Sequence, residues 1–388
     1  MNAFDLFAGA GGLSLGMEKA GITVKWANEI DPNACETYRN SHPNTTMFME
    51  DANDLLAKIM RGEENLPKPG EVDIIAGGPP CQGFSGFNRF RTPDDPRNSL
   101  METYLGFVDY LKPRYILLEN VPGMLSLGEG ATPKLLLNTL KELGYNTRLG
   151  VLQAGYYGLP QNRWRVFIWG AHGNLPVPSF PQPKYNFPKT TIIGATKFRD
   201  CVIKPAKDDP SLLPFVTVGD AISDLPVIEN GGGLKEVNYT TAASSEYQKA
   251  LRNEDGYTYN HVTKKLGTIQ LERCQALSGK AGSGWNDLPD NLKPRNLAKY
   301  GDGRYPNRFG KLSSDRVFNT ILSEANPYWS AVFHPNQDRV ISVRESARAQ
   351  GFPDRVRFYG NLGSQYRQVG NAVPVLLAYE LFSMLPKE

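Results

Sequence analysis

A mostly parallel, doubly wound α/β sheet interrupted by a smaller, loop-rich domain is the fold class this sequence predicts, and three observations predict it. Short apolar runs alternate with amphipathic stretches through the first half of the chain, the pattern of strands linked by crossover helices. From about Leu175 to about Val332 that periodicity dissolves into a segment rich in Pro, Gly, Asn and Asp. The 388 residues also exceed the size at which one core stops growing. The expected division is a discontinuous domain of residues 1–174 and 333–388, with residues 175–332 inserted as the second.

The expected strands are Ala3 to Phe7, Thr23 to Asn28, Asp73 to Ala76, Tyr115 to Glu119, Asn146 to Leu152 and Arg165 to Gly170. Helical patterns lie between them, near Gly12 to Ala20, Pro32 to Asn40, Ala52 to Met60, Leu100 to Leu111 and Pro133 to Leu143. Beyond the irregular segment, Ser342 to Gln350 reads as a helix. Ser342 is its N-cap and Glu345, three residues on, completes a capping box. An apolar helix follows from Val373 to Leu385.

Four widely spaced cysteines (Cys35, Cys81, Cys201, Cys274) contain no C-x-x-C, which argues against a zinc site or a disulfide framework and for a reducing compartment. No apolar run approaches the roughly 20 residues of a membrane span. The N-terminus enters a strand pattern at once, leaving no room for a signal peptide. A cytosolic or nuclear protein is therefore expected. Net charge is +3 but uneven, since His261 to Arg316 holds 11 Lys and Arg against 5 Asp and Glu. That patch suits a polyanion partner, and a solvated surface is the plainer alternative.

Gly78-Pro79-Pro80-Cys81-Gln82-Gly83 puts a cysteine after a rigid Pro-Pro pair, directly beyond the apolar run from Val72 to Gly77. Strand ends of this kind line the ligand crevice of an open α/β sheet, although an intracellular cysteine is also commonly an inert buried thiol. The first strand runs into Phe7-Ala8-Gly9-Ala10-Gly11-Gly12, with Gly16 beyond it. These glycines let backbone approach a ligand at a helix N-terminus. Their spacing is not the dinucleotide fingerprint, and an adenosyl cofactor fits better. Glu29, ending the second strand, is placed for ribose hydroxyls, and Asp51 for the adenine amino group. Glu119-Asn120-Val121 stands at another strand end, and Gln161-Asn162-Arg163-Trp164-Arg165 precedes the sixth strand. Glu119 beside the thiol offers a proton donor with a nucleophile. Arg163 and Arg165, spaced i, i+2 on extended chain, point one way and can grip an anion together. The alternatives are a strand-capping surface acid and a salt-bridging pair.

Taken jointly, these blocks resemble the DNA (cytosine-5) methyltransferase family: DLFAGAGG at Asp5, NEID at Asn28, GGPPCQGFS at Gly77, LLENV at Leu117, QNRWR at Gln161, RVISVRESARAQGFPD at Arg339 and RQVGNAVP at Arg367. They run in family order from Phe4 to Pro374. Other stretches, CQGFSGFNRF from Cys81, GVLQAGYYG from Gly150, SDLP from Ser223 and GSGWNDLP from Gly282, are most similar to the catalytic domain of the eukaryotic maintenance-type enzyme. The large regulatory regions of that enzyme are absent, and the chain begins at the first catalytic motif.

The resemblance implies a Rossmann-like methyltransferase fold, residues 175–332 being the target-recognition domain. It implies S-adenosyl-L-methionine as cofactor, S-adenosyl-L-homocysteine as product and double-stranded DNA as partner, the protein acting as a monomer without a membrane. Location would be nuclear in a eukaryote and cytoplasmic in a bacterium. Cytosine C5 is a poor nucleophile until another nucleophile adds at C6. The resemblance gives that role to Cys81 as thiolate. Glu119, its carboxyl pKa raised in a dry pocket, would donate at N3, and Arg163 and Arg165 would hold the base or its flanking phosphate. The matching cofactor positions are Phe7, Ala8, Gly9, Gly11, Gly12, Glu29, Ile30, Asp51, Ala52, Gly78, Pro79, Asn371 and Ala372. Where bacterial members carry Trp, Ile30 stands, so adenine packing should be aliphatic there and aromatic at Phe7.

A base inside a duplex must be flipped out, and the loop Gln82 to Pro96 is built for that, with Gln82, Ser85 and Arg89 on DNA and Phe87 as the candidate wedge. The alternative is that Phe84, Phe87 and Phe90 are all core residues. Arg308 would supply a DNA contact, and Trp285 and Leu288 an apolar pocket for a methyl group on the opposite strand, favouring hemimethylated CpG. Three rival readings share parts of this pattern. One is a transfer-RNA cytosine-5 methyltransferase, which the long insertion and the absence of a Cys-Phe-Thr signature disfavour. The others are a catalytically silent DNA-binding regulator and a bacterial restriction-modification partner.

Overall fold

The computed structural model describes residues 1–79, 99–192, 196–207, 209–298 and 305–386. Cys81, Gln82, Ser85, Phe87 and Arg89 lie outside the described residues. The chain divides into two compact units, Met1–Gly158 with Trp164–Pro214 and Val373–Glu388, and Leu159–Arg163 with Phe215–Ala372. Residues 175–214 thus pack with the first unit and 333–372 with the second, so the boundaries differ from the expected ones.

The first unit is built on β1 (Asn2–Leu6), α1 (Gly12–Lys19), β2 (Thr23–Glu29), α2 (Pro32–Ser41), β3 (Thr46–Met49), α3 (Ala52–Met60), β4 (Ile74–Gly77), α4 (Ser99–Leu111), β5 (Tyr115–Asn120), α5 (Ala131–Glu142), β6 (Tyr145–Gln153) and β7 (Trp164–His172). The seven strands lie in the order β3-β2-β1-β4-β5-β7-β6. The first five pair in parallel, and β7 runs antiparallel to both β5 and β6. This is the mixed, doubly wound sheet that the resemblance implies. The central strands read as almost unbroken apolar runs because the helices cover both faces. Phe4, Leu6, Ile74, Ile75, Ile116 and Leu117 are all fully buried.

Strand order reverses between β1 and β4, so the crevice at the switch point opens beyond their carboxyl ends. Register fixes what stands there. Leu6 pairs with Gly77 and Gly77 with Leu118, while Asn120 pairs with Val166. The residues leaving β1, β4 and β5, and the residue entering β7, are thereby set side by side. Helix starts are specified locally. Asp31 accepts from the Asn33 amide at 2.8 Å with Pro32 in the first turn, and Asp51 accepts from Asn53 at 2.7 Å. The C-terminal helix, Val375–Phe382, packs along α1, where a Cβ on Gly16 would lie 2.3 Å from the Cβ of Ala378. Two short strands, β8 (Tyr185–Asn186) and β9 (Leu213–Pro214), pair in parallel at the edge of the unit.

The second unit carries α6 (Val218–Ile222), β10 (Gly233–Asn238), α7 (Glu246–Leu251), β11 (Tyr257–Val262), α8 (Thr268–Ala276), α9 (Arg295–Ala298), α10 (Val343–Ala349) and α11 (Leu362–Asn371). β10 and β11 form an antiparallel pair. The expected capping box begins α10, with Ser342 Oγ accepting from Glu345 N at 3.1 Å and Glu345 Oε2 accepting from Ser342 N at 2.6 Å. Every residue of α10 is buried, its charges included. Arg339 grips Glu345 through two nitrogens, and Arg348 bridges Asp224 and Asp354 at 2.5 and 2.6 Å. Among the described residues no helix is long and apolar enough to cross a membrane.

Candidate active site

β1 ends in a bend that reverses into α1. Phe7 (φ 58°), Gly9 (φ 55°) and Gly11 (φ 84°) all adopt left-handed backbone. At Phe7 this costs conformational energy that surrounding structure must supply. It is supplied by hydrogen bonds from Ala8 N to Asn28 O and from Gly11 N to Ala8 O, each 2.9 Å. Gly9 N also donates to Glu29 Oε2 at 2.9 Å. The other oxygen of Glu29 accepts from the amides of Ile30 and Asp31 at 2.8 and 2.9 Å. The carboxylate at the end of β2 is therefore locked onto the bend of β1. A Cβ built on Gly9 meets nothing within 4 Å, so the outer side of the bend is an open cradle. Ile30 lies beside it, 62% exposed.

Asn28, buried one residue before Glu29, donates to Phe48 O and Glu50 O at 3.2 and 2.9 Å. That ties the end of β2 to the end of β3 and sets where Asp51 and Ala52 begin α3. The expected order of acidic groups along successive strand ends is present in the fold.

At the ends of β4 and β5, Glu119 is clasped from two sides. Its Oε1 pairs with Arg165 Nε at 2.9 Å, both side chains being 13% exposed. Its Oε2 lies 2.7 Å from where a Cβ of Gly78 would stand, which explains a glycine there. Arg165 also donates to Trp164 O at 2.8 Å, and burial lowers the pKa of its guanidinium. Pro79 follows Gly78 and is the last described residue before Cys81.

The two arginines do not act as one clamp. Arg163 is 1% exposed in the second unit and donates to the carbonyls of Ile321, Gly370 and Ala372 at 2.9, 2.8 and 3.1 Å. β7 begins only at Trp164, so the strand alternation that would align Arg163 with Arg165 does not reach it. Arg163 braces backbone, whereas Arg165 meets the carboxylate. Asn371 ends α11 and Ala372 caps it, the Ala372 carbonyl also accepting from Gln350 at 3.1 Å.

In the second unit Trp285 and Leu288 are buried, at 1% and 3% exposure, so they present a packed interior rather than an open apolar face. Arg308 is different. Its guanidinium lies 4.2 Å from the ring of Tyr305, 4.5 Å from Tyr328 and 5.1 Å from Trp329. Tyr305 and Trp329 are exposed. Arg308 was legible in the sequence but its aromatic collar was not, because the rings come from segments some twenty residues apart. No group of three or more His, Cys, Asp or Glu that could hold a metal occurs among the described residues.

The model of the C-5 cytosine-specific DNA methylase family matches residues 1–387. The chain is 37% identical to DNA (cytosine-5)-methyltransferase 1A of Oryza sativa subsp. japonica and 34% identical to DNA (cytosine-5)-methyltransferase 1 of Gallus gallus, in each case over 97% of its length. It spans 28% and 29% of the length of those two relatives. Among solved structures it is similar to a prophage-encoded protein of E. coli described as a DNA modification methyltransferase, with TM-score 0.68, 27% identity and coverage of 99% of this chain and 97% of that one. A DNMT2 structure from Spodoptera frugiperda shares the fold at TM-score 0.53 and 18% identity, over 99% and 98% of the two chains. The open glycine cradle with a carboxylate fixed beside it fits an adenosyl cofactor, since the bend leaves space at Gly9 and Glu29 keeps acceptor capacity for ribose hydroxyls. Fold, matched blocks and these relatives agree: the chain belongs to the C-5 cytosine-specific DNA methylase family.

Proposed function

We propose that this chain methylates C5 of a cytosine flipped out of double-stranded DNA, at CpG and with preference for hemimethylated sites, acting as a monomer in the nucleus. The observation that carries the reading is the Glu119 carboxyl held between Gly78 and Arg165, at the strand end next to the one that runs into Cys81.

Cys81 loses its proton and the thiolate adds to cytosine C6. Glu119 donates a proton at N3, so that charge does not build on the ring and C5 becomes enamine-like. Arg165 keeps Glu119 aimed and adds a cation beside the base. S-adenosylmethionine, when bound, supplies an electrophilic methyl group. A base then removes the C5 proton, the N3 proton returns to Glu119, and the Cys81 thiolate is expelled. In the first unit the cofactor would be held by Phe7 to Gly12, Glu29, Ile30, Asp51, Ala52, Gly78 and Pro79. Asn371 and Ala372 are the matching positions in the second.

Gln82, Ser85, Phe87 and Arg89 are proposed to meet the opened duplex, with Phe87 in the vacated space. Arg308 in its aromatic collar and the Trp285 and Leu288 region are proposed to read DNA from the second unit. The test is transfer of labelled methyl from S-adenosylmethionine to unmodified DNA, hemimethylated CpG DNA and transfer RNA, with Cys81→Ser as control. Transfer to hemimethylated DNA that Cys81→Ser abolishes is the expected result. Activity surviving the substitution would sink the covalent mechanism, and transfer to RNA alone would overturn the substrate.

A further inference from the structure

Beneath the glycine bend lies a chain of buried polar groups that the methylation reaction does not use. Asp5 on β1, Ser14 on α1, Tyr38 on α2 and His42 just after it are all essentially inaccessible to solvent. Ser14 Oγ lies 2.6 Å from Asp5 Oδ2 and 2.6 Å from the Tyr38 hydroxyl. The Tyr38 ring packs on His42 with centroids 4.3 Å apart, and His42 Nδ1 meets Glu18 Oε1 at 2.8 Å. The other ring nitrogen of His42 is 2.4 Å from where a Cβ on Gly11 would stand. Asp5 Oδ1 and His42 Nε2 are buried without a hydrogen-bond partner among the described residues. Such orphaned atoms are costly and uncommon.

Asp5 and Ser14 are the two ends of the segment that contains the bend. Their hydrogen bond ties the exit of β1 to the first turn of α1, and Tyr38 braces that tie from a third element. We propose that Asp5, Ser14 and Tyr38 form a buried clamp that sets the shape of the bend from Phe7 to Gly12, and are positioning residues for the adenosyl cofactor. The inference rests on the reading of that bend as the cofactor cradle.

The clamp has two hydrogen-bond directions. With Asp5 ionised, Tyr38 donates to Ser14 and Ser14 to Asp5; with Asp5 protonated, the carboxyl can donate and the order reverses. Burial pushes the Asp5 carboxyl up to about 7, and repulsion from Glu29 on β2 and Glu18 on α1 adds to this. Tyr38 faces it from α2 and Tyr104 from α4. The switch between directions therefore falls near neutrality.

The experiment is calorimetric binding of S-adenosylmethionine and S-adenosylhomocysteine to the full chain at pH values bracketing 7, with Ser14→Ala, Tyr38→Phe, Asp5→Asn and Glu29→Ala. The wild type should bind S-adenosylmethionine more tightly above the Asp5 midpoint, because the sulfonium cation favours an ionised carboxylate nearby. The neutral thioether should show a flatter profile. Asp5→Asn should lose the pH dependence, and Ser14→Ala and Tyr38→Phe should each bind about tenfold more weakly for a lost hydrogen bond. Tyr38→Phe retains the ring and its packing, so it decides the matter even if Ser14→Ala unfolds. Wild-type affinity and pH profile in Tyr38→Phe and Asp5→Asn, with Glu29→Ala crippled, would overturn the clamp alone. Undiminished binding in Glu29→Ala would overturn the cradle itself.

Discussion

Glu119 has no slack in its setting. Arg165 holds one oxygen at 2.9 Å, and the other fills the space in which any side chain on residue 78 would begin. Gly78→Ala should therefore displace the carboxylate by a fraction of an ångström while leaving the fold intact. A misplacement of that order lowers turnover by about 10²-fold, to be measured as methyl transfer at saturating cofactor beside an unchanged melting temperature. Asp5 carries a separate, thermodynamic signature. Its carboxyl pKa is raised from 3.8 in the free side chain to about 7 in the fold. Between those values folding takes up a proton, so its neutral form favours the folded state at low pH. That advantage fades as pH rises and is gone above 7, where a buried charge remains. Denaturant unfolding of the cofactor-free chain should show wild type losing up to about 4 kcal/mol relative to Asp5→Asn across this window, at about 1.36 kcal/mol for each tenfold change in proton affinity.

At the scale of elements, α10 is unusual in burying Arg344, Glu345 and Arg348 on one short helix. The arrangement holds because each charge is met: Arg348 by Asp224 and Asp354, Glu345 by Arg339, and Arg344 by the carbonyls of Tyr259 and Pro353. Arg348→Met keeps the volume but removes the cation shared by the buried carboxylates of Asp224 and Asp354. It should cost about 3–5 kcal/mol, seen as a lower urea midpoint.

This helix was legible before the fold, because its capping box is local chemistry. So were β1, β4 and β5, whose burial on both faces leaves nearly unbroken apolar runs, and β2, whose outer half alternates exposed and buried residues. β3 was not among the expected runs, being only four residues of which two are exposed. α11 was overlooked because Gly363 and Gly370 interrupt a largely polar sequence; its pattern emerges only from what it packs on. The strand alignment expected of Arg163 with Arg165 is absent because β7 begins only at Trp164. The contact of Asp5, Ser14 and Tyr38 under the bend was not legible in the sequence, because they meet only when β1, α1 and α2 pack. Glu29, Glu119 and Arg165 stand at the ends of β2, β5 and β7, where the sequence pattern put them.

For the molecule as a whole, charge is the lever. His261 to Arg316 carries a formal charge of +6 on a chain of +3, and Arg308 belongs to that stretch. If Arg308 contacts a phosphate, Arg308→Ala should weaken DNA binding for every sequence and reduce the slope of log affinity against log salt by about 1. Trp329→Ala removes a ring and no charge. It should lower affinity with the slope unchanged, so titrations at several salt concentrations separate the two contributions.

The contact of α1 with the C-terminal helix sets a timetable. Gly16 is shaped to receive Ala378, so α1 obtains its partner only after more than 350 further residues have been joined. At about 5–20 residues per second on the ribosome, that is a wait of about 20 to 70 seconds. Throughout it the apolar flank of the bend-bearing helix stays uncovered. A helix far along the sequence thus completes the structure that the first strand and helix begin.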